Sequence, residues 1–156
     1  MGGRAQRFWQ LPYRHKRWLL ELVLLSALAK IAIAVIPLRY LVRYLGQPHH
    51  NRLLSVPVSP DQQRQAREIG RLTAGMARIT PWQSQCLVQV LAAKTLLARQ
   101  QIPWVVHFGA RHGQQGDLNA HAWLSVGPDI IVGRRGHRTF GIVATYASVT
   151  ATGKAF

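Results

Sequence analysis

Apolar and polar positions follow two different rhythms along this chain, and the change falls near Ile102. Before it the spacing is helical. Leu19 to Pro37 is an almost continuous apolar run whose only charges are Glu21 and Lys30. Those two positions lie about half a turn apart around a helix axis, so they share no polar face. The run therefore predicts a helix that is apolar almost all round, either buried or docked on a partner or membrane surface. Its uncharged stretch, Leu22 to Ala29, is 8 residues, well short of the roughly 20 needed to span a bilayer. A structural helix is the first reading and a peripheral membrane contact the second. A cleaved signal ending at Ala27-Leu28-Ala29 is the third.

Pro37 ends that helix. Leu38, Leu41, Val42 and Leu45 then repeat at helical spacing, with Gly46 closing a short second helix. Gln47 to Pro60 reads as a connector, and its adjacent His49 and His50 have no Cys or acidic neighbour that would make a metal site. Ser59-Pro60 suits the cap and first position of a third helix, which runs to about Ile79. Ile69, Leu72, Met76 and Ile79 mark one side of it; Arg64, Arg67, Arg71 and Arg78 mark the other. Thr80-Pro81-Trp82-Gln83 has the form of a capping box and opens a fourth helix, with Cys86 in its second turn, ending near Gln101.

After Ile102-Pro103 the rhythm becomes that of strands. Trp104–Arg111, Ala120–Val126, Ile130–Val132 and Phe140–Tyr146 are separated by Gly-rich or basic turns. Helices first and hairpin-linked strands after predict an α+β fold with sequential antiparallel hairpins. The division expected is an apolar and basic helical segment over 1–58 and a core over 59–156.

Charge narrows the partners. Lys and Arg number 20 against five acids, a net charge of +15, which favours anionic partners: nucleic acid, acidic lipid or acidic peptide. The aromatic residues are not interleaved with the arginines as a base-stacking surface requires, so a nucleic-acid role ranks low. The single cysteine leaves no internal disulfide and fits a reducing, cytoplasmic location.

That cysteine is also the candidate nucleophile. A thiol reacts as thiolate, which a helix N-terminus and a neighbouring imidazolium both favour. Cys86 lies near a helix start, and His121, in Ala120-His121-Ala122-Trp123, is the candidate base. Among the few acids, Asp117 and Asp129 lie in the strand half and are rivals for orienting the imidazole. His107 reads as a structural residue within a strand, and His112 and His137 as loop residues. A buried, inert cysteine in a non-enzymatic basic binding protein is the alternative reading.

Set in their flanking segments, the two residues carry a resemblance. Pro81-Trp82-Gln83-Ser84-Gln85-Cys86-Leu87 and Ala120-His121-Ala122-Trp123-Leu124, with Phe108-Gly109 and Ile131-Val132-Gly133, resemble the transglutaminase-like leader peptidases of lasso-peptide biosynthesis. The resemblance covers roughly 69–148. It implies a transglutaminase/papain-like core with the catalytic helix packed on the antiparallel sheet, and a cysteine peptidase with a Cys86–His121–Asp129 triad that removes the leader from a ribosomally made precursor. Some members of that family place their acid further along, near Gly133, where this chain has none, which keeps Asp117 in contention. Trp82, Gln83 and Trp123 are the residues expected to contact substrate. Residues 1–60 do not suit the family's leader-recognition domain, so a separate leader-binding protein is implied, with an ATP-dependent lasso cyclase receiving the core. Arg64, Arg67, Arg71 and Arg78 are the expected docking face for the partner, with the apolar helix over 22–36 as a second one. No cofactor or metal is expected.

Overall fold

A computed structural model describes residues 12–49, 55–81, 86–113 and 117–148. Four helices are followed by most of a five-stranded sheet: α1 (Tyr13–Val35), α2 (Leu38–Tyr44), β1 (Gln47–His49), α3 (Pro60–Ile79), α4 (Cys86–Arg99), β2 (Val105–His112), β3 (Leu118–Val126), β4 (Asp129–Val132) and β5 (Gly141–Ala147). A single 3₁₀ turn over His137–Thr139 precedes β5. The strands lie in the order β1-β5-β2-β3-β4 and every neighbouring pair is antiparallel. This is the α+β arrangement the two rhythms predict.

Local chemistry sets the element ends. Ser59 Oγ accepts from the Gln62 backbone N–H at 3.2 Å while the Gln62 side chain accepts from the Ser59 N–H at 2.9 Å, a complete capping box before Pro60. The carbonyls that α2 leaves open at its end are taken by side chains of other elements. Lys94 Nζ donates to the Tyr44 carbonyl at 2.6 Å and Trp104 Nε1 to that of Leu45 at 3.1 Å. Burial pulls the Lys94 ammonium down to a pKa of about 8.

The core lies between the helices and one face of the sheet. Val88, Leu91, Leu96 and Leu97 of α4 meet Val106, Leu124 and Val126 of the sheet, and Ile69 and Met76 of α3 complete the layer. Trp18, Leu22 and Ala29 of α1 belong to the same cluster, so the N-terminal helices share their core with the strand half. Glu21 Oε1 pairs with Arg17 and Arg99 at 3.7 and 3.6 Å, while its buried Oε2 has no hydrogen-bond partner among the described residues. Glu68 of α3 binds Arg14 and His15 of α1 at 3.1 and 2.9 Å.

Two expectations change. The stretch taken as a connector contains β1, paired with β5 through Gln47↔Ala147 and His49↔Thr145. Pro48 lies within it and is tolerated because this is an edge strand, where a missing N–H costs no ladder bond. Helix α1 proves two-sided: by length and composition it could cross a membrane, but Trp18, Leu22, Ser26 and Ala29 are fixed in the domain. Its other side exposes a row of Leu20, Leu24, Leu28, Ile31 and Val35. All five are aliphatic, so the sequence pattern alone cannot distinguish the packed face from the open one.

Leu22 has no exposed surface and Leu24 has 62%. Leu22→Ala should therefore lower unfolding free energy by about 2–4 kcal/mol, and Leu24→Ala by less than about 0.5 kcal/mol. Urea unfolding followed by circular dichroism measures both; equal losses would mean that α1 is not seated by this face.

Candidate active site

Cys86 is the first described residue of α4, half-buried and packed against the core. Residues 82–85 lie outside the described part of the chain, and with them Trp82, Gln83 and most of the expected capping box. Thr80 is seen closing α3, its backbone N–H bonded to the Met76 carbonyl.

His121 reaches the same place from the sheet. In β3 it is opposite Gly109 of β2. On the other edge, β4 runs only as far as Val132, opposite Leu124. Beyond Val132 the β3 edge has no β4 partner; the imidazole borders that edge on the face of β3 it shares with Trp123, whereas Ala122 and Leu124 face the helices. His121 lines a cavity of about 490 Å³ together with Cys86, Gln89, Thr73, Arg78 and Arg135. The structure thus brings the predicted thiol and imidazole to one cavity from two elements 35 positions apart in sequence.

The imidazole is held from two directions. Nε2 lies 2.8 Å from the Gly133 carbonyl oxygen. A carbonyl only accepts, so Nε2 carries the hydrogen and the neutral ring presents its lone pair at Nδ1. Trp123 and Phe140 pack against the ring, with centroids at 5.9 and 5.2 Å. Gly133 has φ +75°, and a Cβ there would sit 2.5 Å from the Ala122 carbonyl oxygen and 2.9 Å from Trp123 Cβ. Only glycine lets the chain turn away from β4 this close to β3.

Asp129, expected to orient the imidazole, is engaged elsewhere. Its carboxylate accepts from Arg67 Nε at 2.6 Å and from Gln63 at 2.8 Å, and these bonds, Arg67's first, hold its pKa below the ordinary value. The reason is position: Asp129 begins β4, beside α3, whereas His121 lies past the other end of that strand. The rival Asp117 accepts from Asn119 Nδ2 at 3.0 Å in the β2–β3 turn. The orienting group that sequence reasoning missed is the Gly133 backbone carbonyl. Its one signal was a glycine directly after a strand, near the place where some of the resembled peptidases put an acid.

Trp123 corrects a second expectation. It is only 4% exposed, and its ring is stacked with His107 at 5.5 Å as well as with His121. It backs the imidazole, and what surface it keeps lines a separate cavity of about 380 Å³ with His137 and Phe140. His107 is structural, as expected: it is buried between Thr145 Oγ1 and Ser125 Oγ, each 3.3 Å from a ring nitrogen, and burial depresses its pKa to about 4.

The four arginines of α3 prove to be part of the same region. Arg64, Arg67 and Arg71 line a groove of about 790 Å³ against β4 and the loop after it. Arg78 lines the Cys86–His121 cavity itself. Gly70 makes the close approach possible, since a Cβ there would meet the Ile131 carbonyl oxygen at 2.6 Å. Among the described residues, no group of three or more His, Cys, Asp or Glu side chains is placed to hold a metal ion.

A helix carrying a cysteine packs on an antiparallel sheet, and a histidine of that sheet lines the same cavity as the cysteine. The family model for the transglutaminase-like superfamily matches residues 32–145. The chain belongs to that superfamily. No curated protein and no solved structure matches it.

Two measurements check the site. Gly133→Ala should cost on the order of 1–3 kcal/mol of stability, from a strained φ and a displaced loop. A variant that remains folded should lose most of its kcat/KM for a peptide substrate, because the imidazole loses its anchor. Full activity in a folded Gly133→Ala protein would remove the carbonyl from this role. For His107, the unfolded chain binds a proton between pH of about 6.5 and 4 while the folded chain does not. Stability should therefore fall as pH drops through that window, by about 1.4 kcal/mol per unit at most. The lowered carboxylates Glu68 and Asp129 add their losses only at lower pH. Urea midpoints at pH 7 and pH 5 should differ in the wild type and converge in His107→Gln.

Proposed function

We propose that this chain is a cysteine peptidase that removes the leader from a ribosomally made lasso-peptide precursor. The observation that carries the peptidase reading is that Cys86 and His121 line one cavity with His121 Nε2 fixed on the Gly133 carbonyl. That geometry leaves Nδ1 as the proton acceptor. The substrate class rests on the segments around the two residues, which resemble the leader peptidases.

In this reading the Cys86 proton passes to His121 Nδ1, and the thiolate attacks the carbonyl carbon of the leader–core bond. The tetrahedral intermediate collapses with cleavage of the C–N bond. The imidazolium returns its proton to the departing amine, which is the N-terminus of the core. The leader remains as a thioester on Cys86. Water then loses a proton to Nδ1, attacks the thioester, and the thiol leaves with that proton restored. The neutral Gly133 carbonyl orients the ring without supplying the charge that a carboxylate would give the imidazolium.

A separate leader-binding protein presents the precursor, and a lasso cyclase takes the freed core. The exposed aliphatic row of α1, from Leu20 to Val35, is the docking surface this reading gives the leader-binding protein.

The test is a reconstituted mixture of precursor, leader-binding protein and this chain, followed by mass spectrometry. Cys86→Ala should abolish release of the core, and His121→Ala should reduce it by on the order of a hundredfold or more. Cleavage that persists in a folded Cys86→Ala protein rules out the nucleophile.

A further inference from the structure

The arginine groove and the Cys86–His121 cavity share four lining residues, Gly70, Ala74, Ile131 and Arg134, so they form one trough. Gly70 and Ala74 contribute small side chains to it. Arginines rise on both sides: Arg64, Arg71 and Arg78 from α3, and Arg134, Arg135 and Arg138 from the loop after β4. Arg64, Arg71 and Arg78 recur every seven positions and so form one row along the helix. The row extends about 21 Å at 1.5 Å per residue, the length of about six residues of extended peptide.

These arginines outnumber the acids available to them. All five acidic residues of the chain lie within its described parts. Glu21, Glu68, Asp61 and Asp129 are taken by Arg17 and Arg99, by Arg14 and His15, by Arg64, and by Arg67. Asp117 is bonded to Asn119. Among the described residues, Arg71, Arg78, Arg135 and Arg138 form no ion pair. Like charges are thus held along both walls of a concave surface that leads to the thiol, with their counter-charge left for a ligand to supply.

We infer that this trough seats an acidic stretch of the peptide substrate, its carboxylates meeting the two arginine rows while the adjoining bond enters the Cys86–His121 cavity. The assignment deepens the peptidase reading and rests on it for the identity of the ligand as a peptide. It also moves the four arginines from docking a partner protein to gripping the substrate. Exposed charge pairs contribute about 0.2–1 kcal/mol each, so the trough works through several at once and its grip weakens with salt.

Full-length Cys86→Ala protein, which holds a peptide uncut, allows binding to be read by fluorescence anisotropy at low ionic strength. The probes are a labelled peptide of about eight residues with Glu at alternate positions, its Gln counterpart, and a single-stranded oligonucleotide of similar extended length. The Glu peptide should bind more tightly than the Gln peptide. The added double change Arg71→Ala/Arg78→Ala should weaken it by about three- to tenfold, from two exposed pairs, and Arg71→Lys/Arg78→Lys should restore most of that loss. Equal binding of the two peptides, or no effect of the arginine changes, overturns the proposal. So does an oligonucleotide bound more tightly through the same arginines, which would make the trough a nucleic-acid surface. Hydrolysis of the same peptides by protein retaining Cys86 separates the two readings. Arginine-dependent binding of the acidic peptide without any cleavage retires the peptidase and leaves the trough. Cleavage with a KM indifferent to acidic residues and to the arginine changes retires the trough and leaves the peptidase.

Discussion

The site depends on how closely the chain can pass β3 just after β4 ends. At Gly133 the backbone turns with positive φ against Ala122 and Trp123, where no Cβ fits, and delivers its carbonyl to His121 Nε2. That one contact selects the tautomer and fixes the ring plane. It also starts the loop that carries Arg134 and Arg135 to the cavity. The other supports of the imidazole are apolar: Trp123 beneath it, steadied in turn by the buried His107, and Phe140 from beyond the 3₁₀ turn. A strongly polar second anchor is absent from these contacts, so the glycine carbonyl bears the orienting role.

Scarcity of acids shapes the rest. In a chain with net charge +15, three of the five carboxylates hold elements together. Glu68 ties α3 to α1, Glu21 ties α1 to α4, and Asp129 ties β4 to α3. With Asp129 used for this purpose, a backbone carbonyl orients the histidine. The same economy leaves the arginines nearest the thiol without internal partners. Folding gathers seven of the 20 Lys and Arg residues along one trough.

Much of the scaffold was legible beforehand. Ser59-Pro60 announced a helix start because a side-chain acceptor and a residue without a needed N–H satisfy the open backbone groups locally. The β-branched and aromatic residues of Trp104–Arg111 and Ala120–Val126, bounded by turn residues, announced paired strands, and both faces of their inner parts prove buried. The cysteine and histidine stood out through their flanking segments. β1 was not legible: three residues containing a proline have no strand signature, and only the presence of β5 beside them makes a ladder.

What the sequence determined by itself is whatever local chemistry decides: helix caps, strand composition, the excess of positive charge, and the choice of one thiol and one imidazole in their segments. Tertiary structure decided the remainder. It chose which side of an all-apolar α1 would be packed, because hydrophobic periodicity carries no direction when every face is aliphatic. It sent Asp129 to Arg67 rather than His121, because strand register sets which end of β4 meets which neighbour. And it made a main-chain carbonyl part of the site, a group every residue possesses and that no side-chain pattern can mark.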